Sequence, residues 1–145
     1  MMSVRMHRND HTVVYIPDKR FIWHNEDAWL SSEQFPIYAV ADGVTMEGLE
    51  EVIFPTGAKM VADLFCRKTV EFLETKYKEA SLDTLREAYS YANDAIKNLN
   101  ATQPDIAAAV GSAVIVERDT ILGSRITDCG FALLRRGALF FKTPD

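Results

Sequence analysis

The chain has 145 residues, of which 48% are hydrophobic and 26% are charged, and this composition predicts a single globular domain over residues 1–145. Its formal net charge of −5 argues against a protein that binds nucleic acid through clustered lysine and arginine. Charges interrupt every apolar run and the opening MMSVRMHRND lacks the core of a secretory signal, so we expect a cytoplasmic protein without a membrane-spanning segment.

The first part of the chain predicts strands. HTVVYI at 11–16 is rich in β-branched and aromatic residues, which favour extended backbone. A shorter extended run is expected from Arg20 to Trp23. FPIYAVA at 35–41 is a short apolar run that ends in Asp-Gly, and this length favours a buried strand over a helix.

Two antiparallel helices are predicted next. Pro55 and Thr56 open the first helix, along which apolar or small residues recur at the spacing of one helical face. Ser81 is a favourable N-cap for the second helix, and the two helices are joined near residues 77–80. The apolar stripe expected on the second helix consists of Leu82, Leu85, Tyr89, Ala92, Ile96 and Leu99.

The last part of the chain returns to strands after a polar break at 100–105. Arg136-Gly137 is typical of a hairpin turn. The order of strands, two helices and a strand meander indicates the α+β class, with antiparallel β-sheets and the pair of antiparallel helices covering one face. The strands predicted here span residues 106–116, 120–126, 131–134 and 138–141.

Acidic residues frame the predicted strand at 35–41. Glu26-Asp27 precede this strand and Asp42-Gly43 follow it. Carboxylates gathered at strand ends supply the hard oxygen ligands that Mg²⁺ and Mn²⁺ prefer, and a glycine lets a backbone carbonyl face the same ion. Asp-Gly after a strand is also a common turn, so this pattern alone leaves both interpretations open.

The order of motifs resembles the type 2C (PPM) metal-dependent serine/threonine protein phosphatases, in their amino-terminal portion. Asn25-Glu26-Asp27 matches the family's N-[EQ]-D segment, and FPIYAVADGVT at 35–45 matches its strand ending in D-G, in the D-G-V-T subset. After the helix pair, AAAVGSAVIV at 107–116 and ITDCGFALLRRGAL at 126–139 match its later strands. The resemblance spans about residues 20–143 and implies part of the family's four-layer sandwich.

The resemblance implies a site with two Mn²⁺ or Mg²⁺ ions and a weaker third one. Asp42 matches the aspartate that bridges two metals, and Gly43 matches the residue whose carbonyl binds one of them. Glu26 matches the acidic residue that holds a metal-bound water, with Asp27 beside it, and Asp128 matches the aspartate of the third metal. The implied reaction is hydrolysis of phosphoserine or phosphothreonine in phosphoproteins, with Glu26 and Asp42 as catalytic residues.

Three features depart from the family pattern, and the first is Val44-Thr45-Met46-Glu47-Gly48, which stands where the family usually has a Gly- and His-rich turn. Ile22 stands where the family has its phosphate-binding arginine, and Arg20, on the same face of the predicted strand, is the candidate replacement. The family's later D-G and D-N segments are absent from residues 1–145, so we expect an incomplete domain. Its uncovered sheet is then expected to associate with a second copy or with a completing chain.

Three hypotheses remain at this point. Glu26, Asp27 and Asp42 favour a protein phosphatase. Ile22 and the absent later aspartates favour a catalytically inactive phosphatase-like domain that acts as a binding or scaffolding module. A small unrelated α+β domain with structural acidic residues is the third hypothesis.

Overall fold

The computed structural model describes residues 2–6, 11–15, 25–45, 55–103, 106–117 and 119–144. These residues form eight strands and two α-helices, α1 (Gly57–Lys76) and α2 (Leu82–Asn100). The predicted strand from Arg20 to Trp23 lies outside the described residues. The strands are β1 (Met2–Met6), β2 (His11–Tyr15), β3 (Ala28–Ser31), β4 (Ile37–Thr45), β5 (Ala107–Val116), β6 (Ile121–Ile126), β7 (Ala132–Arg135) and β8 (Ala138–Lys142).

All strand pairs are antiparallel. A four-stranded sheet has the order β3-β4-β5-β6, while β1-β2 and β7-β8 are two-stranded hairpins. Arg136 and Gly137, with φ angles of 53° and 78°, form the turn between β7 and β8, where a tight hairpin favours positive φ. Helices α1 and α2 pack on each other, and α1 packs on the four-stranded sheet. The predicted α+β class is therefore confirmed.

Side-chain caps begin both helices; the cap at Ser81 was predicted, whereas Thr56 caps α1 and leaves Pro55 outside the helix where the sequence predicted Pro55 in the first turn. The Thr56 hydroxyl accepts a hydrogen bond from the Lys59 backbone N–H at 3.1 Å, and the Ser81 hydroxyl accepts one from the Thr84 backbone N–H at 3.1 Å. A short 3-10 helix at Tyr77–Glu79 joins the helices. None of the helices in the part of the chain that the structure describes combines the length and apolar character needed to cross a membrane.

The core lies between the helices and one face of the four-stranded sheet. Phe65, Leu73 and Leu85 from the helices and Ile37 and Ile115 from the sheet are almost completely buried. The predicted stripe on α2 holds except at its first member. Leu82 is 61% exposed because it lies in the first turn, and the buried residues of α2 are Thr84, Leu85, Ala88, Ala92 and Ile96.

The opposite face of the sheet, which we call the open face, carries exposed apolar side chains. Along β4 the residues alternate, since Ile37, Ala39 and Ala41 are buried while Val40 and Val44 are exposed. Phe131, just before β7, covers part of this face by packing over Gly123 of β6. The exposed apolar side chains on the rest of the open face are Trp29, Val40, Val44, Val116 and Ile121.

Strand β4 is longer than its sequence predicts. Asp42 and Gly43 do not form a turn after the strand, because pairing with β5 continues through them to Thr45. Gly43 faces α1, and a Cβ atom there would lie 2.3 Å from the carbonyl oxygen of Ala58. The absence of a side chain at Gly43 therefore lets the first turn of α1 approach the strand.

Candidate functional site

A cleft of about 570 Å³ opens where the segment before β3, the middle of β4 and the first turns of α1 meet. Three carboxylates, one lysine and one thiol lie in its wall, so the cleft is predominantly acidic. Its lining residues are Asn25, Asp27, Ala28, Trp29, Val40, Ala41, Asp42, Lys59, Asp63 and Cys129.

Two of these carboxyl groups lie side by side. Asp42 projects from β4 on the side away from the helices and lines the cleft together with Asp27. Although Asp42 is exposed as a whole residue, partial burial of its carboxyl raises its pKa, and the adjacent Asp27 raises this pKa further. The pair therefore holds negative charge at an energetic cost.

Cys129 reaches the cleft from the turn that follows β6, whereas Asp128 in the same turn lines a neighbouring pocket. Thr127 in this turn has a φ of 57°, and its hydroxyl contacts the Asp128 carboxyl at 3.0 Å. The Asp128 charge also raises the pKa of Asp42, so the two carboxyl groups interact electrostatically without a hydrogen bond between them among the described residues. Cys129 lines the cleft itself, and partial burial raises the pKa of its thiol.

Glu26 points to the start of α1. Its Oε1 accepts a hydrogen bond of 2.6 Å from the Thr56 hydroxyl, and its backbone carbonyl accepts one of 3.2 Å from the Gly43 N–H. A carboxylate is electrostatically favoured at a helix N-terminus. The charge of Glu26 contributes to the raised pKa of Asp42, but its side chain is not among those lining the cleft.

Sequence patterns did not single out Lys59 and Asp63, which also line the cleft. They lie one turn apart on α1, and this spacing is typical of an ordinary ion pair on a solvated helix face. The Lys59 ammonium group contacts Asp63 at 2.8 Å and the backbone carbonyl of Asp27 at 2.8 Å. Only the contact with Asp27, which depends on the fold, distinguishes Lys59 from other helix-surface lysines.

The chemistry of the adjacent carboxyl groups suits a hard divalent cation. Asp27 and Asp42 offer oxygen ligands next to each other, and a cation between them would relieve their repulsion. Within the described ranges, no three His, Cys, Asp or Glu side chains are grouped closely enough to hold a metal ion. Arg20, the predicted phosphate contact, lies outside those ranges.

Two solved structures have a similar fold. One is the serine/threonine phosphatase PstP/Ppp of Mycobacterium tuberculosis, with a TM-score of 0.68 and 19% sequence identity, covering 85% of this chain and 48% of that chain. The other is the PPM Ser-Thr phosphatase MsPP of Mycobacterium smegmatis in complex with cacodylate, with a TM-score of 0.57 and 24% identity, covering 85% of this chain and 47% of that one.

These similarities show that the described residues adopt the fold of part of the PPM phosphatase structures, as the motif order predicts. The chain spans about half the length of each of these solved structures. No protein-family model and no curated protein sequence matches the chain.

Proposed function

We propose that this chain, which shares its fold with part of two mycobacterial serine/threonine phosphatases, belongs to the type 2C (PPM) family and contributes to metal-dependent hydrolysis of phosphoserine and phosphothreonine in proteins. The observation that carries the proposal is that Asp27 and Asp42 line the same cleft, where the Asp27 charge raises the pKa of Asp42. Two adjacent carboxylates are costly unless a cation binds between them, and the reaction class requires such a cation.

We propose that Asp27 and Asp42 bind Mn²⁺ or Mg²⁺, together with the backbone carbonyl of Gly43, and that Asp128 serves a weaker third ion. Metal ions held by these residues would supply a water of lowered pKa for the hydrolysis. Asp42 has to release its proton before it binds a cation, and its raised pKa makes this step depend on pH. Cation binding should therefore strengthen as the pH rises.

The remaining roles follow the family pattern. Glu26, fixed by the Thr56 hydroxyl, is proposed to orient a metal-bound water, and Arg20 is proposed to contact the substrate phosphate. The D-G-V-T subset is proposed because Val44 and Thr45 directly follow Asp42 and Gly43. Residues 1–145 are proposed to act as one cytoplasmic domain with phosphoprotein substrates, and the exposed apolar side chains of the open face favour association with a second copy or a completing chain.

The proposal is tested by hydrolysis of p-nitrophenyl phosphate and of a phosphothreonine peptide, with and without Mn²⁺. We expect Asp27→Asn and Asp42→Asn each to lower the Mn²⁺-dependent rate at least about 10- to 100-fold, since loss of an outer-shell group alone has effects of this size. Asp94→Asn is the matched control, because Asp94 is exposed on α2 and pairs with Lys97 at 3.3 Å. A Mn²⁺-dependent rate that is equal in wild type and Asp42→Asn would contradict the proposal and favour an inactive module.

A further inference from the structure

Helix α1 holds the acidic segment at residues 25–27 through two side chains of its first turns. The Thr56 hydroxyl donates to the Glu26 carboxylate at 2.6 Å, and the Lys59 ammonium group donates to the Asp27 carbonyl at 2.8 Å. Lys59 is the basic residue among those that line the cleft in the described part of the chain. Its side chain is 21% exposed, so most of it is packed against the protein.

Hydrogen bonds from other parts of the fold matter for this segment because it lies outside the strands. The Asp27 N–H donates to the Asn25 side-chain oxygen at 2.8 Å, and the Glu26 carbonyl accepts from the Gly43 N–H at 3.2 Å. The bond from Lys59 to the Asp27 carbonyl completes this set. The direction of the Asp27 side chain is therefore set by a backbone that is fixed from outside the segment.

Asp27 and Asp42 line the same cleft, and Asp27 directly precedes β3, where Ala28 pairs with Ala41 of β4. Like charges that face one cleft repel, so movement of the segment before β3 would take the Asp27 carboxyl away from Asp42. A hydrogen bond from an ammonium group to a carbonyl is stronger than one between neutral groups, so Lys59 opposes this movement. Asp63 in turn fixes the ammonium group at 2.8 Å.

We propose that Lys59 is a positioning residue that holds the Asp27 carboxyl beside Asp42 for cation binding, with Asp63 acting through Lys59. This inference rests on the proposed function, in which Asp27 and Asp42 share a divalent cation. An ion pair at this spacing on a helix is ordinarily a weak local contact. Lys59 has the positioning role because it also donates a hydrogen bond to the backbone carbonyl of Asp27, outside α1.

The first experiment measures Mn²⁺ affinity by calorimetry and by electron paramagnetic resonance. We expect Lys59→Met to raise the Kd for Mn²⁺ about 10- to 100-fold, as for other groups that orient a metal ligand, and Asp63→Asn to have a smaller effect in the same direction. Lys59→Arg should restore much of the affinity because a guanidinium group can donate to both partners.

Lys68→Met is the matched control. Lys68 lies on the same helix and makes a comparable ion pair with Glu71 at 2.8 Å, but it does not line the cleft. Its substitution should leave the Kd for Mn²⁺ unchanged. Wild-type Mn²⁺ affinity in Lys59→Met would overturn the inference, and so would an equal loss of affinity in Lys59→Met and Lys68→Met.

A second measurement needs no metal and separates this inference from the proposed function. In EDTA, the Gly43 amide, which donates to the Glu26 carbonyl, should exchange with solvent about tenfold faster in Lys59→Met, while amides in the middle of α1 keep their rates. Absence of Mn²⁺ binding in the wild type would end the proposed function. Unchanged exchange at Gly43 in Lys59→Met would end the positioning role, whichever way the metal experiment turns out.

Discussion

Asp42 occupies a position where its negative charge destabilises the metal-free protein. Partial burial and the neighbouring Asp27 raise the pKa of its carboxyl above the ordinary value that it has in the unfolded chain. The folded state therefore keeps the proton to higher pH, and ionisation of Asp42 favours unfolding as the pH rises through this interval. Such a cost is common where a group is placed for chemistry and not for stability.

This cost predicts the behaviour of Asp42→Asn in EDTA. The quantity to compare is the free energy of unfolding of the variant minus that of the wild type. This difference should be larger at about pH 7 than at low pH. The advantage should fade as the pH falls below about 4, where the carboxyl is protonated in both states. Urea unfolding at several pH values measures it. A difference that is the same at every pH would contradict this explanation.

At the scale of elements, the approach of α1 to β4 depends on Gly43. A Cβ atom at this position would lie 2.3 Å from the Ala58 carbonyl oxygen, which belongs to the helix backbone and cannot rotate away. We expect Gly43→Ala to lower the free energy of unfolding by about 1–3 kcal/mol, the usual cost of overpacking. Thermal or urea unfolding measures this change.

Gly57→Ala provides the comparison for Gly43→Ala. Gly57 begins α1, and a Cβ atom there would meet only the Ala107 side chain at 3.4 Å. Since alanine favours helix more than glycine does, this variant should keep or slightly raise stability. An equal loss in the free energy of unfolding for Gly43→Ala and Gly57→Ala would contradict this explanation. The close approach of α1 to β4 would then not be the reason why position 43 needs glycine.

Helix α2 is joined to the sheet by a tyrosine hydroxyl that lies between two strands. The Tyr89 hydroxyl accepts a hydrogen bond from the Ala113 N–H at 2.9 Å and donates one to the Ser124 carbonyl at 2.7 Å. Ala113 of β5 and Ser124 of β6 are register partners, so the hydroxyl bridges the two strands. Most of the Tyr89 ring is packed beside Phe65, at a centroid distance of 5.6 Å.

Removal of this hydroxyl should weaken the link between α2, β5 and β6. We expect Tyr89→Phe to lower the free energy of unfolding by about 1–3 kcal/mol, because it leaves a backbone donor and an acceptor without this partner. Tyr91→Phe is the control, since Tyr91 is 41% exposed on the same helix and bonds only the Glu71 carboxylate at 3.1 Å. The control should change stability by less than about 0.5 kcal/mol, and an equal loss in both variants would contradict the bridging role.

At the scale of the whole molecule, the open face leaves apolar surface in contact with solvent. Val40 and Val44 of β4 are 44% and 38% exposed on this face, and the β7-β8 hairpin adds further exposed leucine and phenylalanine side chains. Surface of this kind binds the dye ANS. We expect native chain to raise ANS fluorescence and the double variant Val40→Thr, Val44→Thr to raise it less.

The control for dye binding is Leu82→Thr, which removes an isolated exposed leucine from α2. A single apolar side chain at the surface is ordinary, whereas a contiguous patch is not. Fluorescence that falls as far in the Leu82 variant as in the double valine variant would indicate that the dye does not recognise the open face.

Local sequence signals predicted the helices and most strands because their causes are local. Ser81 caps α2 as expected, and the turn at Arg136-Gly137 connects β7 and β8. Strands β1 and β3 were not predicted, since five and four residues beside charged residues give too short a pattern. The position of Leu82 was wrong because periodicity alone does not show where a helix meets its neighbour.

The candidate site was predictable only in part. Asp27 and Asp42 were identified through the motif order, and the structure brings their carboxyl groups together. Lys59 and Asp63 were missed, because the contact of Lys59 with the Asp27 carbonyl joins residues that are far apart in sequence. Such a contact exists only after α1 has packed against the strands, and no periodic pattern reports it.

The hold of α1 on the acidic segment has a consequence for folding kinetics. Pairing of Ala28 with Ala41 brings Asp27 towards Asp42, while the bonds from Thr56 and Lys59 to the acidic segment are non-local contacts that we expect to form after the folding transition state. A cation that recognises the assembled pair would then stabilise the native state without stabilising the folding transition state. It should slow unfolding while the refolding rate stays nearly constant.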